Sequence, residues 1–311
     1  MDAKTHDIVA FGEAMIEFNQ RDPSRPEFIR GFGGDTSNAA IAAARLGARS
    51  AYLSQVGDDE FGRDLLALWQ REGVDTAGVR ALAGGSTGLY FVSHGPEGHR
   101  FSYRRAGSAA SLITPADLPR KLIAGARFLH VSGISMAISA SACDAVFEAI
   151  AVARAAGTRL SLDLNFRPRL APAPRALALA RQALRDAALF FPSVDEVTQL
   201  TGLSSPEDIV RWAHDEGARA VALKLGAQGC IVSDGQGLVA LPASPVQAVD
   251  ATGAGDCFAG TCLAQLAHGA SLVEAARAAN AAAALSTLGY GAVDPLPRRE
   301  ALGALLRPLT R

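Results

Sequence analysis

No Gly-Lys pair occurs anywhere in the 311 residues, so the phosphate loop GxxxxGK[ST] is excluded. The four cysteines, Cys143, Cys230, Cys257 and Cys262, form no CxxC pair, and the six histidines make no HxxxH or HExxH spacing. Both gaps disfavour a disulfide framework and a dedicated transition-metal site; buried, reduced thiols are expected instead. No apolar run approaches the roughly 18 residues of a membrane span. The start, Met1-Asp2-Ala3-Lys4-Thr5-His6-Asp7, lacks the basic and apolar regions of a signal peptide, so a cytoplasmic chain without a membrane partner is expected. Excess charge of either sign is also missing. A formal net charge of −1 gives no reason to expect nucleic acid as a partner. Lysine is scarce, with only Lys4, Lys121 and Lys224, which makes Lys224 on an apolar strand stand out.

The chain is long enough for one large α/β domain or two modest ones, and its 49% apolar and 20% charged residues suit a globular enzyme. Ile8-Val9-Ala10-Phe11 reads as a buried strand ending at Gly12. Apolar residues then recur at helical spacing over 38–46, with Gly47 where a helix C-terminal cap belongs. Ala51-Tyr52-Leu53 predicts a second strand and 61–69 a second helix. The alternation continues through Phe128-Leu129-His130-Val131, a helix over 140–156, Leu160-Ser161-Leu162, a helix over 176–187 and Leu189-Phe190-Phe191. A helix over Pro206–Asp215, the strand Ala220-Val221-Ala222-Leu223-Lys224 and a hairpin around Asp234-Gly235 follow. Strands alternating with helices predict a mostly parallel sheet covered on both faces.

Residues 86–107 break this rhythm. Leu89-Tyr90-Phe91-Val92-Ser93 and Arg100-Phe101-Ser102-Tyr103-Arg104 flank the turn Gly95-Pro96-Glu97-Gly98, and with residues near 15–31 they could form a small sheet. It is either an edge hairpin or a lid. Inserted loops at strand ends usually carry binding residues, which favours the lid.

The stretch Asp250-Ala251-Thr252-Gly253-Ala254-Gly255-Asp256-Cys257-Phe258 leads into a helix predicted over 256–268, because Phe258, Cys262 and Leu266 share one face. Unpaired N–H groups and the positive dipole end make such a start an anion site, and glycines let the backbone approach the anion. The Rossmann pattern fails, since Gly253-x-Gly255-x-x lands on Phe258. Asp256 then has two readings, a helix N-cap or a carboxylate that accepts a proton from an attacking hydroxyl.

This stretch resembles the DTxGAGD signature of the ribokinase-like family of sugar kinases, with Ala251 in the place of threonine. Gly33-Gly34-Asp35-Thr36-Ser37-Asn38-Ala39-Ala40 resembles the family's N-terminal glycine pair. The likeness runs over essentially the whole chain. It implies an α/β class fold, a single domain over 1–311 with a three-layer α/β/α core, mostly parallel sheet, and a β-lid at about 15–31 and 86–107. It further implies ATP and Mg²⁺, with Asp256 as general base and the backbone of Gly253, Ala254 and Gly255 as the anion hole. Pro192-Ser193-Val194-Asp195-Glu196 stands where the family has NxxE. Glu196 would act on Mg²⁺ through water, or else is an exposed glutamate at a helix start. Lys224-Leu225-Gly226-Ala227-Gln228-Gly229 resembles the nucleotide segment. Its members Lys224, Gly226 and Gly229, with Ser193, Gly253 and Gly255, would bind nucleotide, and Asn280 would flank adenine.

Selectivity among sugars has to come from the lid and the strand ends. Tyr103-Arg104-Arg105 sets a phenol and a guanidinium two residues apart. Asp163-Leu164-Asn165-Phe166-Arg167-Pro168 ends a strand on an arginine that proline holds out of a helix. Two cations converging on a sugar suggest that it carries a carboxylate. With Ser132-Gly133-Ile134-Ser135, these segments resemble 2-keto-3-deoxygluconate kinases, which implies phosphorylation of the C6 hydroxyl of that sugar acid. Gly33, Gly34, Asp35, Asn38, Tyr90, Tyr103, Arg105 and Arg167 would contact it, with the role of Glu17 open. A kinase for a neutral ketose, such as a fructokinase, is the alternative, and a nucleotide- or sugar-binding regulator without catalysis a more distant one. Exposed lid strands suggest a homo-oligomer paired through the lids.

Overall fold

A nine-stranded sheet carries the alternation read from the sequence. Its parallel strands lie in the order Asp75–Leu82, Ser50–Gly57, His6–Phe11, Ala126–Ser132, Arg159–Asp163, Ala187–Phe191 and Val221–Lys224. Cys230–Ser233 and Val239–Leu241 extend this edge antiparallel, as the hairpin around Asp234-Gly235 requires. The computed structural model describes residues 4–20, 22, 24–95 and 98–306. Part of the lid hairpin's turn, Pro96 and Glu97, lies outside them.

Successive strand side chains point to opposite faces, so each strand feeds two cores. Ile8 and Ala10 pack with Ala40, Phe258 and Ala279 on one face. Val9 and Phe11 pack with Val146, Leu184 and Ile209 on the other. Helices therefore cover both faces, giving three layers. All four cysteines are free and buried. No helix among the described residues is long and apolar enough to cross a membrane.

Each glycine motif runs into a helix, Asp35–Arg45 after the first and Ala254–Ala267 after the second. The two helices approach so closely that a Cβ added to Gly260 would lie 2.2 Å from the carbonyl oxygen of Ala39. Gly260 stands four residues after Asp256 and so shares its helix face. The contact that demands a glycine at 260 thus turns Asp256 towards Asn38.

A second sheet of four strands lies over the strand ends, in the order Ile29–Gly33, Met15–Asn19, Gly88–Gly95 and Gly98–Arg104. Met15–Asn19 pairs parallel with Gly88–Gly95, and the other pairings are antiparallel.

Candidate active site

Ligand sites in parallel α/β sheets form beyond the carboxyl ends of the strands. Here those ends and the lid enclose a cleft of about 1570 Å³. Glu13, Asn165, Arg167, Ser193 and Lys224 line it from strand ends, Tyr90, Tyr103 and Arg105 from the lid side. Gly34, Asp35 and Asn38 line it from the first helix, and Thr252, Gly253, Gly255 and Asp256 from the motif.

The motif is held by backbone geometry and one carboxylate. Gly253 caps the helix at φ 77°, a conformation that suits glycine. Asp250 accepts hydrogen bonds from the Thr252 amide (2.9 Å), the Thr252 hydroxyl (2.6 Å) and the Gly291 amide (3.0 Å). The first helical bond runs from the Cys257 amide to the Gly253 carbonyl, leaving the Gly255 and Asp256 N–H groups ahead of it. Ala254 departs from the expectation. Its amide donates to the Ala251 carbonyl at 3.2 Å, closing the turn, and the residue does not line the cleft.

Asp256 is not the N-cap, because the helix begins two residues earlier and has no side-chain cap. Its Oδ2 accepts from Asn38 Nδ2 at 2.8 Å. Burial pushes the carboxyl up to about 8, Asp35 adds to the rise, and the Asn38 bond opposes it. A carboxylate that binds its proton near working pH is tuned to take one from a hydroxyl. A general base works only in its ionised form, so with Asp256 in that role kcat/KM should rise with pH through a value near 8. Asn38→Leu should move that rise to higher pH, because the lost bond favours the ion. A rise centred in the ordinary carboxylate range would contradict both statements.

Lys224 Nζ donates to both oxygens of Asp163, at 2.9 Å each. Asp163 also accepts from the Asn165 amide at 3.2 Å, and Asn165 Nδ2 donates to Asp35 at 3.1 Å. Ser193 and Glu196 form a capping box on the helix Val194–Thr201, in which Glu196 Oε2 accepts from the Ser193 amide at 3.0 Å. The helix-start reading of Glu196 therefore holds, although its side chain is only 15% exposed and faces the cleft. Glu196 Oε1 lies 3.8 Å from Arg167 Nη1.

The lid side holds two buried carboxylates. Glu13, with no side-chain exposure, pairs with Arg105 and accepts from Ser108 Oγ at 2.5 Å. Arg105 is 10% exposed, and its Nε is buried without a partner. The Tyr90 hydroxyl donates to Glu17 Oε2 at 2.5 Å, and Tyr90 stacks on Tyr103. Arg167 is the freer cation, at 48% exposure.

Three further expected contacts stand outside the cleft lining. Asn280 is buried, and its amide donates to the carbonyls of Leu241 (3.1 Å) and Pro242 (3.4 Å), tying its helix to the sheet edge. Gly229 makes room for that edge too, since a Cβ there would lie 2.1 Å from the Leu241 oxygen. Gly33 clears space for the Tyr90 hydroxyl, which a Cβ would meet at 2.2 Å. Sequence reasoning gave no role to Glu13, Asp163, Asn165 or Asp250. The one available signal was their place just past a strand end or before the glycine turn.

A two-faced parallel core, a small sheet over its strand ends and a buried carboxylate beside open helix N–H groups form a cleft suited to phosphoryl transfer to a hydroxyl. The chain belongs to the pfkB family of carbohydrate kinases, which residues 5–299 match. It is 36% identical to a 2-dehydro-3-deoxygluconokinase of Bacillus subtilis over 96% of this chain and 95% of that one. It is also 36% identical to fructokinase-1 of Oryza sativa, over 93% and 94%. An E. coli structure with ATP and Mg²⁺ superimposes with a TM-score of 0.89 at 26% identity, covering 96% of this chain and 98% of that one.

Proposed function

We propose that this carbohydrate kinase transfers the γ-phosphoryl group of ATP to the C6 hydroxyl of 2-keto-3-deoxy-D-gluconate. The observation that carries the sugar-acid reading is the pair of arginines in one cleft, Arg167 half-exposed and Arg105 with a buried, unpartnered Nε. A carboxylate offers these donors charge-assisted partners that a hydroxyl does not. The Bacillus subtilis relative's name supports the same substrate. Asp256 takes the hydroxyl proton, and the Gly255 and Asp256 N–H groups hold the phosphoryl group. Gly34, Asp35, Asn38, Tyr90 and Tyr103 position the sugar, while Ser193, Lys224, Gly226 and Gly253 face the nucleotide.

Among the described residues no three His, Cys, Asp or Glu side chains group to hold a metal. Glu196, whose carboxylate lines the cleft, would hold a Mg²⁺ ion through water, an ion kept mainly by the nucleotide phosphates. When bound, that ion neutralises phosphate charge. We place the enzyme in the cytoplasm, where ATP is supplied. It forms a dimer through the lid edge, where Phe28 and Ile29 are exposed.

One observation favours the fructokinase reading: Glu13 already neutralises Arg105. The test is an ATP-consumption screen over 2-keto-3-deoxygluconate, fructose and ribose, repeated with Arg167→Ala. That variant should raise KM for the sugar acid by about tenfold or more and change KM for a neutral sugar little. Preference for fructose in the parent enzyme, or equal losses in the variant, would reject the sugar acid.

A further inference from the structure

The ammonium of Lys224 sits against the positive end of the helix Ala254–Ala267, where a Cβ built on Gly255 would lie 3.4 Å from Nζ. A cation there is unfavourable, by the same interaction that makes an anion favourable. Asp163 offsets the cost by binding Nζ with both oxygens, and Glu196 and Asp256 also face the charge. Asp163 is itself tightly held. It accepts from the amide of Asn165, the one non-glycine residue with positive φ (36°) among those described. The Asn165 side chain is fixed in turn on Asp35. A strained residue bonded at both ends belongs to a site whose geometry is over-determined. An ammonium has three N–H donors; Asp163 takes two, and the third remains for the cleft.

We infer that Lys224 is a catalytic residue that donates to the phosphoryl group in flight, and that Asp163 is its positioning residue. This rests on the proposed phosphoryl transfer from ATP. In the step, the sugar hydroxyl oxygen bonds to the γ-phosphorus while the bond from that phosphorus to the β,γ-bridging oxygen breaks. The electron pair leaves on ADP, and the hydroxyl proton goes to Asp256. Charge on the equatorial oxygens is met from one side by the helix N–H groups and from the other by Lys224. Lysine and helix terminus repel each other until that anion lies between them, so their joint effect is largest when the phosphoryl group is in place.

The test uses the full chain carrying Lys224→Met or Asp163→Asn, assayed with ATP and the sugar that the parent enzyme prefers. Lys224→Met should lower kcat by about a hundredfold or more with both KM values within about threefold. Asp163→Asn should lower kcat by about tenfold or more with the same split, because a misplaced donor loses most of its effect. Binding separates the two states directly. ADP should bind Lys224→Met as it binds the parent, whereas the tightening produced by aluminium fluoride with ADP and sugar should disappear. Unchanged kcat in Lys224→Met, or ADP affinity falling in step with kcat, would overturn the assignment. Asp163→Asn with a lowered Tm but full kcat would remove the positioning role. A parent enzyme that prefers fructose would sink the sugar-acid reading and leave this test intact.

Discussion

Replacing Asp256 by asparagine is expected to lower kcat by about a thousandfold or more while nucleotide still binds. The amide keeps the shape of the carboxyl and can still meet Asn38, but it takes no proton. The helix N–H groups belong to the backbone, so the variant keeps its hold on phosphate. Stability should move the other way. Folding raises the Asp256 pKa from its ordinary 3.8 to about 8, with burial as the main cause. In the interval between those values the unfolded chain is ionised and the folded site resists ionisation. The fold therefore loses stability as pH rises across that window, and a neutral side chain removes the loss. Asp256→Asn should have a Tm at neutral pH equal to or above that of the parent. Loss of activity together with a lowered Tm would point to a structural role instead. Turnover near that of the parent would exclude the base.

The sheet and its flanking helices were legible in the sequence because most buried strands are short apolar runs bounded by glycine, proline or charged residues. The edge strand Asp75–Leu82 was not. It is largely uncovered, and its burial follows no simple alternation. The helix Leu272–Ser286 escaped for a related reason: an alanine-rich segment shows little amphipathic contrast, yet it packs tightly because alanine permits close approach. The motif around Asp256 was legible because glycine and aspartate have few reasons to alternate outside a turn. What stayed hidden are pairings across the chain. Arg105 could be read as a cation beside Tyr103, but its neutralisation by Glu13 depends on a contact between a strand end and the lid. Asn280 was expected beside adenine, but its side chain is spent on the carbonyls of Leu241 and Pro242, a contact between a helix and the sheet edge that no local pattern announces. Glu196 turned out to cap a helix and face the cleft at once, so its two readings do not exclude each other.

The Glu13–Arg105 pair yields the second large effect, because it separates a structural role from a binding role. Arg105→Met leaves Glu13 as a buried, unpaired carboxylate. Breaking such a pair costs about 3–5 kcal/mol, so a Tm lower by on the order of 10 °C is expected. Burial already holds the Glu13 pKa above its ordinary value, with Arg105 opposing that rise. Without Arg105 it rises further. The destabilisation should then shrink as pH falls and Glu13 takes up a proton. Adding Glu13→Gln removes the stranded charge while its Oε1 can still accept from Ser108. The double variant should recover most of the lost Tm. It should not recover sugar-acid binding, because the guanidinium is still missing. For 2-keto-3-deoxygluconate, kcat/KM should stay down by about ten- to a hundredfold in both variants, the worth of one hydrogen bond to a charged group. A neutral ketose should respond to Tm alone and recover in the double variant. If sugar-acid turnover recovers together with stability, Arg105 serves only to neutralise Glu13, and the carboxylate must be gripped by Arg167 without it.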